Sequence, residues 1–249
     1  MLVLLPPSET KLPGGHGAPL DIGALALPSL RAPRERLVDG LVALSADEEV
    51  SARVLKLSAR RLHEVADNAA LRSAPTLPAV DRYTGVLFEA LDATTLDPDA
   101  RAWLGAHVLI HSAPFGPVGA LDGIPVYRLA ASMSVPGLPS LRKMWAEPVE
   151  TAIRDVDPDF VLDLRSEAYA ALGPIPHGVS TAYVRIVSEG PDGVSRALNH
   201  FNKKAKGELT RALAETGAAI GSLHDLFEWA GEAGYHVRES ASGEVHLVV

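Results

Sequence analysis

Three lysines and an arginine, Lys203, Lys204, Lys206 and Arg211, stand close together in a chain whose formal net charge is −8. At about 100° per residue they fall on one arc of a helix, while Phe201, Ala205, Leu209, Ala212 and Leu213 fall on the other. Cations grouped this way can neutralise phosphates or clamp a smaller anion. Gly207 lies among them. A glycine in a helix interior costs roughly 1 kcal/mol against alanine, so it is expected to serve a local purpose: letting an anionic partner approach the backbone between the cations. An ordinary solvated helix face would carry the same charges, and only convergence with other groups separates the two readings. The groups that could converge stand at the ends of expected strands. Ser8, Thr10 and Lys11 follow Leu2 to Leu5, Arg128 lies within Val126 to Leu129, and Arg165 and Ser166 follow Phe160 to Leu164. Ligands of α/β sheets bind beyond the carboxyl ends of strands, so these residues would form a phosphate pocket if they face the basic helix. No catalytic residue is assigned, although Ser8, Thr10, Asp81, Tyr83 or Ser166 could supply hydrogen bonds or proton transfer to a bound substrate.

Other chemistries lack their motifs. His63 has Asp67 one helical turn on, but no His-Glu-x-x-His completes a zinc site, and His107 and His111 have no carboxylate beside them. No metal and no cofactor are therefore expected. Leu12 to Gly17 is glycine-rich, yet it has neither the Gly-Lys-Ser/Thr ending of a P-loop nor G-x-G-x-x-G spacing, and Gly-x-Ser-x-Gly is absent. The chain has no cysteine, which excludes disulfides, thiolate metal sites and peroxidatic thiol chemistry.

The elements that must position these residues alternate between the two periodicities. Apolar runs at Leu2–Leu5, His107–His111, Ile124–Ala131, Phe160–Leu164 and Thr181–Val187 read as strands. Helical spacing covers 34–45, 47–70, 138–156 with a break or kink at Pro148, the basic segment, and 223–233. Asp97-Pro98-Asp99 starts a further helix, Ser112 to Gly119 reads as a turn region, and Ser8 to Leu30 as a loop. Pro191-Asp192-Gly193 is an expected turn, and 235–238 with 244–249 an expected hairpin around Ser242-Gly243. The class is α/β: one mixed domain over residues 1–249, with helices around a central sheet and no Rossmann or P-loop signature. With 249 residues, 47% of them hydrophobic, the chain can build a sizeable core. No apolar run reaches the roughly 20 residues of a membrane span, and the N-terminal run is too short for a signal segment. A cytoplasmic protein without membrane partners is expected.

The ordered motifs resemble the YaaA family of bacterial peroxide-stress proteins along nearly the whole chain. The first strand with Pro7, Ser8 and Thr10 is similar to the family's N-terminal strand and Ser-Pro-Ala-Lys-Thr turn. Asp81-Arg82-Tyr83-Thr84-Gly85 resembles its Asp-x-Tyr-x-Gly. Ser112-Ala113-Pro114-Phe115-Gly116, Leu121-Asp122, Tyr127-Arg128-Leu129 and Trp145 follow its next stretch. Leu164-Arg165-Ser166 with Tyr169 resembles its Leu-Ala-Ser-x-x-Tyr. Lys203-Lys204-Ala205-Lys206-Gly207 with Thr210-Arg211 resembles its Lys-Lys-Ala-Arg-Gly … Ser-Arg, the most specific of these. Glu9 stands where the family has a lysine, Gly119 and Ala120 where it has Arg-Pro, and Ala130 where it has an acidic residue.

The resemblance implies a cytosolic protein of the hydroperoxide response that limits iron-dependent oxidative damage and binds DNA through a positively charged cleft. On that reading Lys203, Lys204, Lys206 and Arg211 contact phosphates of the duplex, and Arg128 and Arg165 extend the track. Binding would show weak sequence preference and a log–log salt slope of roughly −3 to −4. The alternative is an enzyme acting on a small phosphorylated or nucleotide-like substrate held by the same cations. An open groove would favour the first reading and a closed pocket the second.

Overall fold

The computed structural model describes residues 1–189, 195–197, 199–240 and 243–249, with the backbone alone for 189, 195–197 and 199–201. The strands are β1 (Leu2–Leu5), β2 (Gly17–Pro19), β3 (Pro75–Pro78), β4 (Val108–Ser112), β5 (Gly116–Gly119) and β6 (Gly123–Ile124). They continue with β7 (Val161–Asp163), β8 (Thr181–Glu189), β9 (Ser195–Ala197), β10 (His236–Glu239) and β11 (Val245–Val248). The helices are α1 (Arg31–Leu44), α2 (Glu48–Val54), α3 (His63–Ala69), α4 (Ala79–Arg82) and α5 (Val86–Leu91). After them come α6 (Pro98–His107), α7 (Leu141–Val156), α8 (Glu167–Ala170), α9 (Asn199–Glu215) and α10 (Leu223–Glu232).

The α/β class expected from the alternating pattern is the one observed. The main sheet has the strand order β10-β11-β8-β7-β1-β4-β5, with β9 beside β8, and β2-β3-β6 form a small second sheet. β1 pairs in parallel with both β4 and β7, and β8 continues the parallel run to β11, while β5 and β10 close the edges antiparallel. β1, β4 and β7 are buried along their whole length. Strands covered on both faces are mostly apolar, which is why they read as near-continuous hydrophobic runs, with His111 and Ser112 in β4 and Asp163 in β7 as buried polar exceptions.

The topology has a functional consequence. From β1 the chain crosses to β4 on one side, then returns to β7 on the other. The connections on the two sides of β1 diverge and leave a crevice beyond the carboxyl ends of β1 and β7, the place where sheets of this class bind ligands.

Several local expectations are revised. The expected helix over 47–70 breaks at Lys56, whose φ of 51° no helix can accommodate, and becomes α2, a 3-10 turn and α3. Its start is as read: the Asp47 carboxylate accepts from the Val50 amide at 2.9 Å. Of the expected strand over 124–131 only Ile124 is paired; the remainder is irregular chain. His107 closes α6 instead of opening a strand, and the 112–119 turn contains β5. Helix α7 runs through Pro148 without interruption. Its buried face, Leu141, Met144, Trp145, Val149, Ala152 and Ile153, holds both halves to the core and outweighs the missing hydrogen bond. The C-terminal pair β10–β11 is antiparallel as expected. The Pro191-Asp192-Gly193 turn, and Ser242 in the hairpin turn, lie outside the described residues. Among the described residues no helix is long and apolar enough to cross a membrane.

The long N-terminal loop is fastened by two buried arginines. Arg34 donates to the carbonyls of Ala26 and Pro117 at 2.7 Å each, Phe115 at 2.8 Å and Leu27 at 3.3 Å. Arg82 donates to Leu12, Ile124 and Pro75. Arg34→Met would leave several buried carbonyls without donors and is expected to cost roughly 3 kcal/mol or more, read as a lower urea midpoint.

Candidate functional site

The crevice at the switch point is a cleft of about 820 Å³. Its floor is the turn after β1, Pro6 to Thr10; one wall is the turn after β7, Ser166 to Tyr169; the other is the start of α5, with α9 closing over the top. Tyr183 and Arg185 enter from β8, whose alternate residues Ala182, Val184 and Ile186 are buried in the core.

Gly207 explains how α9 reaches this position. A Cβ there would fall onto the Leu87 carbonyl oxygen and would stand 2.9 Å from the Ala90 Cβ and 3.0 Å from the Leu91 amide nitrogen. The glycine is thus the contact point at which α9 presses onto α5. It is turned to the protein interior, not to an anion between cations, and the sequence-based purpose assigned to it is corrected accordingly. The close approach carries Asn202, Lys203 and Lys206 to the cleft, opposite Gly85 to Phe88. Gly85 itself has φ +96°, and a side chain there would crowd the Ser8 and Thr10 hydroxyls at 3.2 and 3.3 Å.

Lys206 is the central cation. Only 5% of the residue is exposed, and among the described residues its amine has no hydrogen-bond or ion-pair partner. Burial, reinforced by the Arg185 charge and opposed by Asp163, pushes its pKa down to about 8. Asn202 Oδ1 is also buried without a hydrogen bond. Lys203 is exposed beside them. The Ser8 and Thr10 hydroxyls are 3.2 Å apart, and Thr10 reaches the Thr84 carbonyl at 3.2 Å. Ser166 caps α8 by position, but its hydroxyl makes no cap hydrogen bond and is left to face the cleft. Arg185 is less free than Lys206, being paired with Glu244 at 2.6 Å and Glu167 at 3.0 Å.

Of the residues selected from sequence, Ser8, Thr10, Ser166, Lys203 and Lys206 therefore line one cleft, and Gly207 sits behind it. The others do not converge there. Arg165 is fully buried, bound to Asp163 at 2.7 and 2.9 Å, to His111 Nδ1 at 2.9 Å and to the Gly173 carbonyl at 2.8 Å. Because the guanidinium can only donate, His111 Nδ1 accepts and its proton sits on Nε2. Burial, then Arg165, hold His111 well below its usual range, so it is neutral. Arg128 is buried between Glu9 at 3.2 Å and Glu64 at 3.5 Å. Arg211 donates to the carbonyls of Leu91 and Asp92 at 3.0 Å and to Thr95 at 2.9 Å, fastening α9 to the end of α5, and pairs with Glu215. Lys204 is exposed and pairs with Glu208 at 3.0 Å. Asp81 is tied to Arg101, and the Tyr83 hydroxyl to that of Tyr127 at 2.7 Å. Asp163→Asn would strand the Arg165 charge in the core and is expected to destabilise the fold by about 3–5 kcal/mol, measured by chemical denaturation.

Gly85 stood out in the sequence only as part of a family-like motif, and sequence reading assigned no role to Asn202, Tyr183 and Arg185. A signal existed for the last two. A strand with polar residues on alternate positions, placed within the sheet and not at its edge, points its polar face at a covered cleft. Among the described residues, no group of three or more His, Asp or Glu side chains converges as a metal site requires.

A family model described as "Peroxide stress protein YaaA" matches residues 1–241. A UPF0246 protein of Corynebacterium efficiens is 44% identical over the full length of both chains. One from Streptomyces coelicolor is 42% identical over 97% of this chain and 93% of its own. Another, from Lactobacillus delbrueckii subsp. bulgaricus, is 30% identical over 70% of each.

Proposed function

Since this chain belongs to the YaaA family of peroxide stress proteins, we propose that it serves the hydroperoxide response by binding a small phosphorylated or nucleotide-like anion in the cleft between β1 and β7. The observation that carries this reading is Lys206, a buried amine with no protein partner among the described residues, lining an 820 Å³ cleft at the topological switch point. A buried cation that no carboxylate pairs with directly is costly, and an anionic ligand would supply that partner. Lys203 adds attraction at the entrance, and the hydroxyls of Ser8, Thr10 and Ser166 can hydrogen-bond the oxygens of the anion. Leu87 and Phe88 offer an apolar surface for the remainder of the ligand. The protein would limit iron-dependent oxidative damage in the cytoplasm through that ligand.

Duplex DNA is the competing partner. It would need an extended row of free cations, whereas Arg128 and Arg165 are buried in ion pairs and Arg211 is bonded to carbonyls. A small ligand is therefore the stronger reading. Titration of the protein with AMP, inorganic pyrophosphate and a short duplex separates the two. The expected result is saturable binding of the small anions that displaces any bound duplex. Duplex binding that needs Lys203 and Lys204, falls steeply with salt and ignores saturating AMP would assign the surface to nucleic acid.

A further inference from the structure

A second cleft, of about 450 Å³, lies on the far side of Glu9 and Thr10, which line both cavities. Its wall holds Lys11, with Glu64, Asp67 and Tyr127 around it. The Lys11 amine donates to the backbone carbonyls of Ser8 at 3.1 Å and Glu9 at 3.3 Å, and stands 4.1 Å from the centre of the Tyr127 ring. Among the described residues no carboxylate pairs with it. Those nearby are engaged: Glu9 by Arg128, and Glu64 by Arg61 at 2.6 Å and by Arg128. Part of the side chain reaches solvent, but the amine is desolvated against tyrosine and backbone. Burial and the Arg128 charge, opposed by Glu64 and Glu9 and aided by Arg61, push its pKa down to about 7. Tyr83, also beneath the amine at 5.5 Å from its ring centre, stays neutral with Tyr127. Asp67, one turn beyond His63 on α3, has its pKa raised, first by burial and then by Glu64, against the charges of His63, Lys11 and Arg82.

An amine held by neutral acceptors at the wall of a cavity, with a carboxyl group nearby, is the arrangement of a nucleophilic lysine. We propose that this second cleft takes a small aldehyde or ketone and that Lys11 Nζ forms an imine with its carbonyl carbon. The neutral amine attacks, the N–C bond forms as the carbonyl π electrons move to oxygen, and a proton passes from nitrogen to that oxygen. The Asp67 carboxyl then gives a proton to the hydroxyl, which leaves as water while the nitrogen lone pair closes the C=N bond, and the protonated imine so formed returns its N–H proton to the Asp67 carboxylate. Hydrolysis reverses the sequence and no electrons are transferred.

The test uses the intact protein at pH 7 with glyoxylate or propanal and sodium cyanoborohydride, followed by peptide mass mapping. Lys11 should be alkylated roughly tenfold or more faster than the exposed Lys56 and Lys143, because far more of it is unprotonated. Its rate should follow a titration near pH 7, and Asp67→Asn should slow the adduct at Lys11 alone. Labelling of Lys11 no faster than Lys56 and Lys143, or its absence with both carbonyl compounds, would overturn the proposal. So would an unchanged rate at Lys11 in Asp67→Asn, for the role of that carboxyl. Because the mapping reads wild-type protein, it does not depend on a variant folding, and it stands or falls separately from anion binding in the first cleft.

Discussion

Lys206→Met is expected to abolish anion binding at neutral pH and, in the same protein, to raise the melting temperature. Methionine keeps the apolar stem, so packing is little changed, while the unpartnered charge disappears. The pKa falls from 10.5 to about 8 in the folded state, so below pH 8 the protonated amine carries its whole burial cost, on the order of 1–3 kcal/mol. As pH rises from about 8 towards 10.5 the folded state releases this proton before the unfolded chain does. Stability from this group therefore increases across that window. The variant should lack that rise and should melt several degrees higher at pH 7, given roughly 2–4 °C per kcal/mol for a chain of this size. Anion affinity in the wild type should move the opposite way, weakening as pH climbs through about 8 and the ammonium is lost. A residue that destabilises the empty protein and strengthens the complex has the signature of a binding group. Calorimetric melts of both proteins with and without pyrophosphate read all these effects, and a variant that melts lower would show Lys206 to be structural.

Gly207→Ala is expected to do the reverse of what helix propensity says. In an exposed helix the change would stabilise by up to about 1 kcal/mol. Here the new methyl group meets the Leu87 carbonyl oxygen and the backbone of Leu91, which cannot rotate away as a side chain tip could. Helices α9 and α5 must separate, at a net cost of about 1–3 kcal/mol or more. Since α5 begins at the cleft wall, the separation also moves Lys206 from Gly85 and weakens ligand binding. Urea unfolding with a midpoint equal to or above wild type would contradict this packing role.

The parts of the fold legible in the sequence were those set by local chemistry. The Leu2–Leu5 and Phe160–Leu164 runs gave buried parallel strands, and Asp47 and Asp97 gave helix caps, the latter accepting from the Ala100 amide at 2.8 Å. The candidate cleft was legible in outline because the turns after parallel strands gather at one edge of such a sheet, and Ser8, Thr10, Ser166, Lys203 and Lys206 do meet there. Amphipathic periodicity failed at Lys206 and Gly207. It assigns one apolar face to a helix, whereas α9 is covered on two sides, by the sheet and by α5. It failed for Arg128 because nothing local announces that Glu9 and Glu64 will fold against it, and for Arg165 because Asp163, two residues earlier, does not by itself reveal that His111 will close over the pair in the core. The break at Lys56 was equally hidden, since a single left-handed residue leaves no trace in the hydrophobic pattern.

The most direct test of the cleft is titration calorimetry of AMP into wild-type protein and Lys206→Met near pH 8, in two buffers of different ionisation enthalpy. If Lys206 holds the anion, wild-type binding will take up a fraction of a proton from the buffer, because the bound anion raises the lysine pKa. The variant will show neither that proton uptake nor measurable binding. Equal affinity and equal proton uptake in the two proteins would mean that Lys206 is not the anion's partner.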